Sequence, residues 1–96
     1  MINGSDFSFR LYVAGAGHNS ARAIANLTAL CNARLEGRHQ IEIIDVFGQP
    51  ARALADGIVM TPTLIRLGPE PMRRVIGTLQ ATDEVAAVLG FSEPDA

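Results

Sequence analysis

The run Gly15-Ala16-Gly17-His18-Asn19-Ser20 begins like a phosphate-binding turn, in which glycines let backbone amides approach a pyrophosphate at a helix N-terminus. Ser20 stands where the third glycine would be, Asp45 comes later than the acid that would hold a ribose, and the chain has room for only half of a dinucleotide-binding fold. A tight turn with a helix cap is the better reading, and no cofactor is expected. His18 and His39 are separated by a whole helix, with no spaced carboxylate or second thiol to complete a metal set. Ser20 lacks His and acid partners for nucleophilic work, and helix capping accounts for it. Glu42 and Asp45, three apart on a strand, point to opposite faces and so do not form an acid/base pair. Cys31 is the single cysteine, which excludes an intramolecular disulfide, a CxxC redox pair and a Cys-based zinc finger. Asn3-Gly4-Ser5 and Asn26-Leu27-Thr28 match the glycosylation sequon, which means little without a signal peptide. No catalytic constellation emerges, and the expected class is a non-enzyme.

Arginine is the more suggestive residue. All eight basic residues are Arg, and Arg10, Arg22, Arg66, Arg73 and Arg74 fall near the predicted sheet and its helix. Guanidinium forks grip carboxylates with two bonds and are enriched at interface centres, so a protein partner is one reading and solvated surface charge the other. The net charge of -2 opposes non-specific phosphate binding, and the scarcity of aromatic residues opposes single-strand stacking; no nucleic acid is expected.

The elements that must position these residues follow from pattern. Phe7–Val13 alternates as a strand and runs into the Gly15–Gly17 turn. Asn19 and Ser20 are candidate N-caps for a helix that places Ile24, Leu27, Leu30, Cys31 and Leu35 on one face before Gly37. Ile41, Ile43, Ile44 and Val46 form a β-branched strand, Pro50 opens a short helix to Ala55, and Thr61-Pro62-Thr63 introduces a strand over Leu64–Leu67. Gly68-Pro69-Glu70-Pro71 is a turn, Met72–Ile76 a further segment, and Thr82 with Asp83 and Glu84 caps a last helix through Leu89. Two stretches are ambivalent: Met72, Val75, Ile76 and Leu79 fit helical spacing as well as Met72, Arg74 and Ile76 fit one strand face, and Val85–Phe91 suits a helix or a sheet.

Ninety-six residues with 48% hydrophobic and 19% charged side chains make one α/β domain, residues 1–96, with a core over about 7–91 and short polar tails. No run approaches the ~18 apolar residues of a membrane span, and Met1–Ala16 lacks the apolar stretch of a signal peptide; a cytoplasmic protein off the membrane is expected. The order βαβαββα is the minimal thioredoxin-like arrangement, a parallel βαβ half followed by an antiparallel hairpin and a covering helix. In such folds the residue pair before the third strand often carries a cis proline; Thr61-Pro62 occupies that place, and the sequence leaves cis and trans open. The catalytic cysteines of redox-active members would sit at the first turn, where this chain has none. Cys31 on the apolar helix face reads as a small buried hydrophobe, with a thiol enzyme, stress-response protein or peroxide sensor as the rival function.

Five segments together resemble the KaiB family of clock proteins: Leu11-Tyr12-Val13-Ala14-Gly15, Ser20-Ala21-Arg22-Ala23, Ile44-Asp45-Val46 with Pro50, Thr61-Pro62-Thr63-Leu64, and Pro71-Met72-Arg73-Arg74-Val75-Ile76-Gly77. The resemblance spans about residues 8–91. It implies a clock or timer regulator without catalysis that binds the hexameric ATPase and kinase KaiC and modulates its phosphorylation, with KaiA or a histidine kinase sensor as possible third partner or competitor. It places partner-binding positions on Arg22, Arg66, Arg73 and Arg74, and the cis-proline turn on Thr61 and Pro62. It also implies two folds, the thioredoxin-like one and a resting βαββααβ arrangement in a dimer or tetramer, with the ambivalent half as the part that changes. Pro62, Pro69, Pro71 and Gly77 then belong to the switch region, and proline isomerisation would make the change slow. Departures include Thr78-Leu79-Gln80 where members often read Asp-Leu-Ser, the Gly-Pro-Glu-Pro loop, and a short acidic tail, so a timer simpler than a circadian one, or a stress role, is a further expectation. A sensor module of a histidine kinase is a third reading, although no kinase domain follows in this chain.

Overall fold

Alternation along the first strand decides which layer each side chain joins. The computed structural model describes residues 6–91, so the Asn3 sequon and the Ser92–Ala96 tail lie outside the described residues. In order come β1 (Phe7–Val13), α1 (His18–Arg34), β2 (His39–Asp45), α2 (Pro50–Ala55), β3 (Thr63–Gly68), β4 (Arg73–Ile76) and α3 (Thr82–Leu89). The single sheet runs β2-β1-β3-β4. β1 pairs in parallel with β2, and β3 lies antiparallel to both β1 and β4. The two-residue side-chain period sends Phe9, Leu11 and Val13 to one face and Tyr12 to the other.

Ala23, Leu27, Leu30 and Cys31 of α1 recur at helical spacing and bury against the first face with Leu64 of β3 and Val85, Ala86 and Leu89 of α3. The second face is covered by α2 alone, where Ala53 packs on Tyr12, Ile44 and Ile65. Pro50 starts α2 because a missing N–H is harmless in a first helical turn.

The ambivalent half resolves into β4 followed by α3, with the βαβαββα order expected of the thioredoxin-like reading. Gly77, at φ +118°, ends β4, and its amide donates to the Pro62 carbonyl at 2.9 Å, which closes the hairpin. The cap assignments differ from expectation. Gly17 is the N-cap of α1, and Asn19 and Ser20 sit inside its first turn, where the Ser20 hydroxyl donates back to the Ala14 carbonyl at 3.3 Å. Thr82 is likewise the first residue of α3, with Ala81 at the cap and Asp83 and Glu84 favourably placed near the positive end of the helix. At the other end, Gly90 takes φ +77° and lets its own amide and that of Phe91 cap the last carbonyls.

Candidate partner-binding surface

The four arginines expected to bind a partner are not gathered into one patch. Arg66 and Arg73 face each other across β3 and β4. Strand parity puts both on the α3 side, where Arg66 is only 6% exposed while Arg73 is exposed. Arg66 Nη1 donates to the Leu89 carbonyl at 2.5 Å and Nη2 to the Pro71 carbonyl, tying the end of α3 to the Pro69–Pro71 loop. Its Nε has no partner, and burial together with the neighbouring Arg73 lowers its pKa. Arg74 points to the opposite face and donates to the Asp56 carbonyl just past α2. Arg66 and Arg74 therefore each hold a helix C-terminus, where cations and donors are favoured. Arg22, on α1, donates to Gln80 beyond the far end of β4 from Arg73.

At the end of the sheet where β1 leads into α1, Ala14, Gly17, His18, Asn19, Ser20, Thr61 and Pro62 line a cavity of about 470 Å³. Thr61-Pro62 is cis, as are Gly68-Pro69 and Glu70-Pro71. Asp45 Oδ1 accepts from the Gly15 and Phe47 amides at 3.0 and 2.9 Å, so this carboxylate shapes the turn. Cys31 is wholly buried well along α1, and burial pushes its thiol up to about 12. A thiol held protonated and out of solvent is a poor nucleophile, which opposes the redox reading. His39 lies at the other end of α1 from His18, its Nδ1 2.9 Å from the Leu35 carbonyl. Phe47, Leu54, Val59 and Met60 leave most of their apolar surface open around α2 and the Thr61-Pro62 turn.

Sequence reasoning missed a polar clamp under α2. Tyr12 donates to Asp56 Oδ2 at 2.6 Å and lies 3.0 Å from the Arg52 carbonyl; Arg10 Nη1 reaches the same carboxylate oxygen at 3.0 Å. Glu42 accepts from Arg10 Nε at 3.1 Å and from Arg52 at 2.7 and 3.0 Å. The Tyr12 hydroxyl and then Arg10 hold Asp56 below its ordinary carboxylate range, and Arg52 with Arg10 brings Glu42 down to about 2. A signal was present: Arg10, Tyr12 and Glu42 share strand parity, so one ion pair and a tyrosine hydroxyl had to emerge on the same face. Asp56, which lies beyond α2, needed the tertiary packing to be placed.

This architecture has solved counterparts. The N-terminal domain of Synechococcus elongatus SasA superposes with a TM-score of 0.73 at 18% identity, covering 100% of this chain and 94% of that one. Mitochondrial thioredoxin 3 of Saccharomyces cerevisiae gives 0.69 at 18% identity, covering 86% and 76%. The fold is thus thioredoxin-like, without cysteines at the turn where that class keeps its redox pair. The KaiB domain family model matches residues 10–91. Circadian clock protein KaiB3 of Synechocystis sp. is 43% identical over 76 residues, 79% of this chain and 74% of that protein. Circadian clock oscillator protein KaiB of Prochlorococcus marinus subsp. pastoris is 38% identical over 85 residues, 88% and 79% of the two chains. The chain belongs to the KaiB family.

Proposed function

We propose that this chain is a non-catalytic clock or timer regulator that docks on a KaiC-like hexameric ATPase and modulates its phosphorylation. The observation that carries the reading is the family match over residues 10–91, combined with a thioredoxin-like frame whose lone thiol is buried and protonated. Exposed Arg73 and Arg74, with half-buried Arg22, meet acidic partner surface, and Arg66 supports the β3–β4 loop from beneath. The protein works in the cytoplasm; among the described residues no helix is long and apolar enough to cross a membrane. A KaiA-like protein or a histidine kinase sensor module competes for the same ATPase. The resting form is a dimer or tetramer with the βαββααβ arrangement, and Thr61, Pro62, Pro69, Pro71 and Gly77 lie in the half that rearranges. Support for that exchange is the double periodicity of Met72–Leu79 and Val85–Phe91, which lets two packings lie within a few kcal/mol of each other.

Size-exclusion chromatography with light scattering, on the chain alone and with its KaiC homologue plus ATP, tests the reading. Migration of the chain onto the hexamer is the expected result. Separate elution under every nucleotide condition would remove the function and leave the fold standing.

A further inference from the structure

β4 closes one side of the sheet, and among the described residues no strand pairs with its outer edge. Gly77 N–H donates inward to Pro62, and backbone groups alternate sides along a strand, so Val75 and Arg73 also turn toward β3. The amides and carbonyls of Arg74 and Ile76 are left on the open edge, and nothing among the described residues blunts it. Beside the edge lies a groove of about 310 Å³ between β4 and α3, lined by Val75, Ile76, Leu79, Val85 and Val88, with Glu84 at one end. Val88 on the groove wall is 45% exposed, and Ile76, turned by strand parity to the α2 side, adds a 56% exposed apolar side chain at the same edge. The groove floor is held from behind: Asn26 donates to the Thr78 carbonyl at 2.7 Å, Arg22 donates to Gln80, and Leu79 sits buried at φ +64°, a conformation L-residues rarely adopt.

We infer that the β4 edge and its groove receive an extended segment of a partner protein, which adds to the sheet as a fifth strand and sets a carboxylate against Arg73. The inference rests on the docking role proposed above and supplies its mode. Backbone pairing on an open edge gives affinity, and alternate side chains entering a groove give specificity. Charge selects the occupant. Arg73 is exposed and forms no ion pair among the described residues, whereas the opposite end of the groove carries Glu84. An apolar segment with its acid at the Arg73 end satisfies both. A second copy does not, because edge-to-edge pairing of two β4 strands gathers four guanidiniums within about 13 Å.

The first test uses a short synthetic peptide with Val at alternate positions, Thr between them and a single Asp in the Val register at one end, titrated into the labelled chain in its thioredoxin-like form and followed by amide shifts. Shifts at Arg74, Ile76 and the α3 groove are expected, with binding at least tenfold weaker in Ile76→Pro and in Val88→Glu. Proline is tolerated on an edge strand where the lost N–H faces solvent, and Val88→Glu adds charge at a half-open helix position, so one variant covers a folding failure of the other. Absence of shifts on β4, or equal shifts in Ile76→Pro, overturns strand addition. A dimer of the thioredoxin-like form whose amide contacts map to the β4 edge, and that Ile76→Pro dissolves, overturns the choice of occupant in favour of a second copy. The second test measures both variants against the KaiC homologue with ATP. Wild-type binding lost in both is expected; wild-type binding retained in both folded variants overturns the inference and leaves the adaptor role intact. If the wild type itself fails to bind the ATPase, the adaptor role falls, and the peptide titration still decides the edge.

Discussion

The two faces of one sheet are held by different physics. On the α1/α3 face a continuous apolar cluster runs from Phe9 through Leu27 to Leu89, joined by stacked and edge-on contacts among Phe7, Phe9 and Phe91. On the α2 face, among the described residues, the buried cluster is Tyr12, Ile44, Ala53 and Ile65, edged by half-buried Val46, Ile58 and Leu67, and the short helix is fastened by Asp56, Glu42 and the guanidiniums around them. Burial is non-directional and tolerates rearrangement, whereas a hydrogen-bonded clamp holds one geometry and yields when a single partner goes. Bulk stability therefore belongs to the first face, and the placement of α2 with the apolar residues around it depends on the second.

Substitutions can break that contrast in graded steps. Leu27→Ala, at a fully buried position of the large face, is expected to lower unfolding free energy by about 2–5 kcal/mol in a denaturant titration. A loss under 1 kcal/mol would mean that the α1 face is not the main core. Gly90→Ala forces an L-residue into the left-handed region and sets a Cβ 2.9 Å from Arg66 Nη1. The expected loss is about 1–2 kcal/mol, and an unchanged midpoint would show that the end of α3 is free to re-form. Tyr12→Phe deletes the hydroxyl shared by Asp56 and the Arg52 carbonyl while keeping the ring; about 1 kcal/mol is expected, with faster hydrogen exchange confined to Arg52–Ile58. Exchange that rises equally on both faces would contradict a local clamp.

The smallest effect is set by pH. Glu42 lies near 2 in the folded chain against an ordinary 4.5, so its contribution is complete above about 4.5 and is lost as pH falls toward 2. Asp56 is shifted in the same direction. Glu42 is nearly half exposed, and solvent screening keeps the change modest. Thermal melts of Glu42→Gln should lose part of the acid-side decline seen in the wild type; parallel curves would remove Glu42 from the clamp.

The parallel half was legible from local pattern because its signals agree: alternation in Phe7–Val13, helical spacing from Ala23 to Leu35, and β-branched residues in β2. The antiparallel half was legible only through the order of the elements, since Met72–Leu79 satisfies two periods and the β3 pairing makes the choice. Helix caps were misplaced by one to three residues because Asn19, Ser20 and Thr82 are all good cap types standing shortly after the true caps Gly17 and Ala81. The four arginines were singled out by residue type, yet type does not show that Arg66 turns inward to Leu89 while Arg73 across from it stays in solvent. Asp56 went unnoticed because its partners Arg10 and Tyr12 lie more than forty positions away along the chain.

The most direct test of the regulatory role follows the phosphorylated fraction of the KaiC homologue over time, with ATP, in the presence and absence of this protein at saturating concentration. A time course of the phosphorylated form that changes when the protein is present is the expected result. Superimposable time courses, from a sample in which the chain is folded and bound, would contradict it.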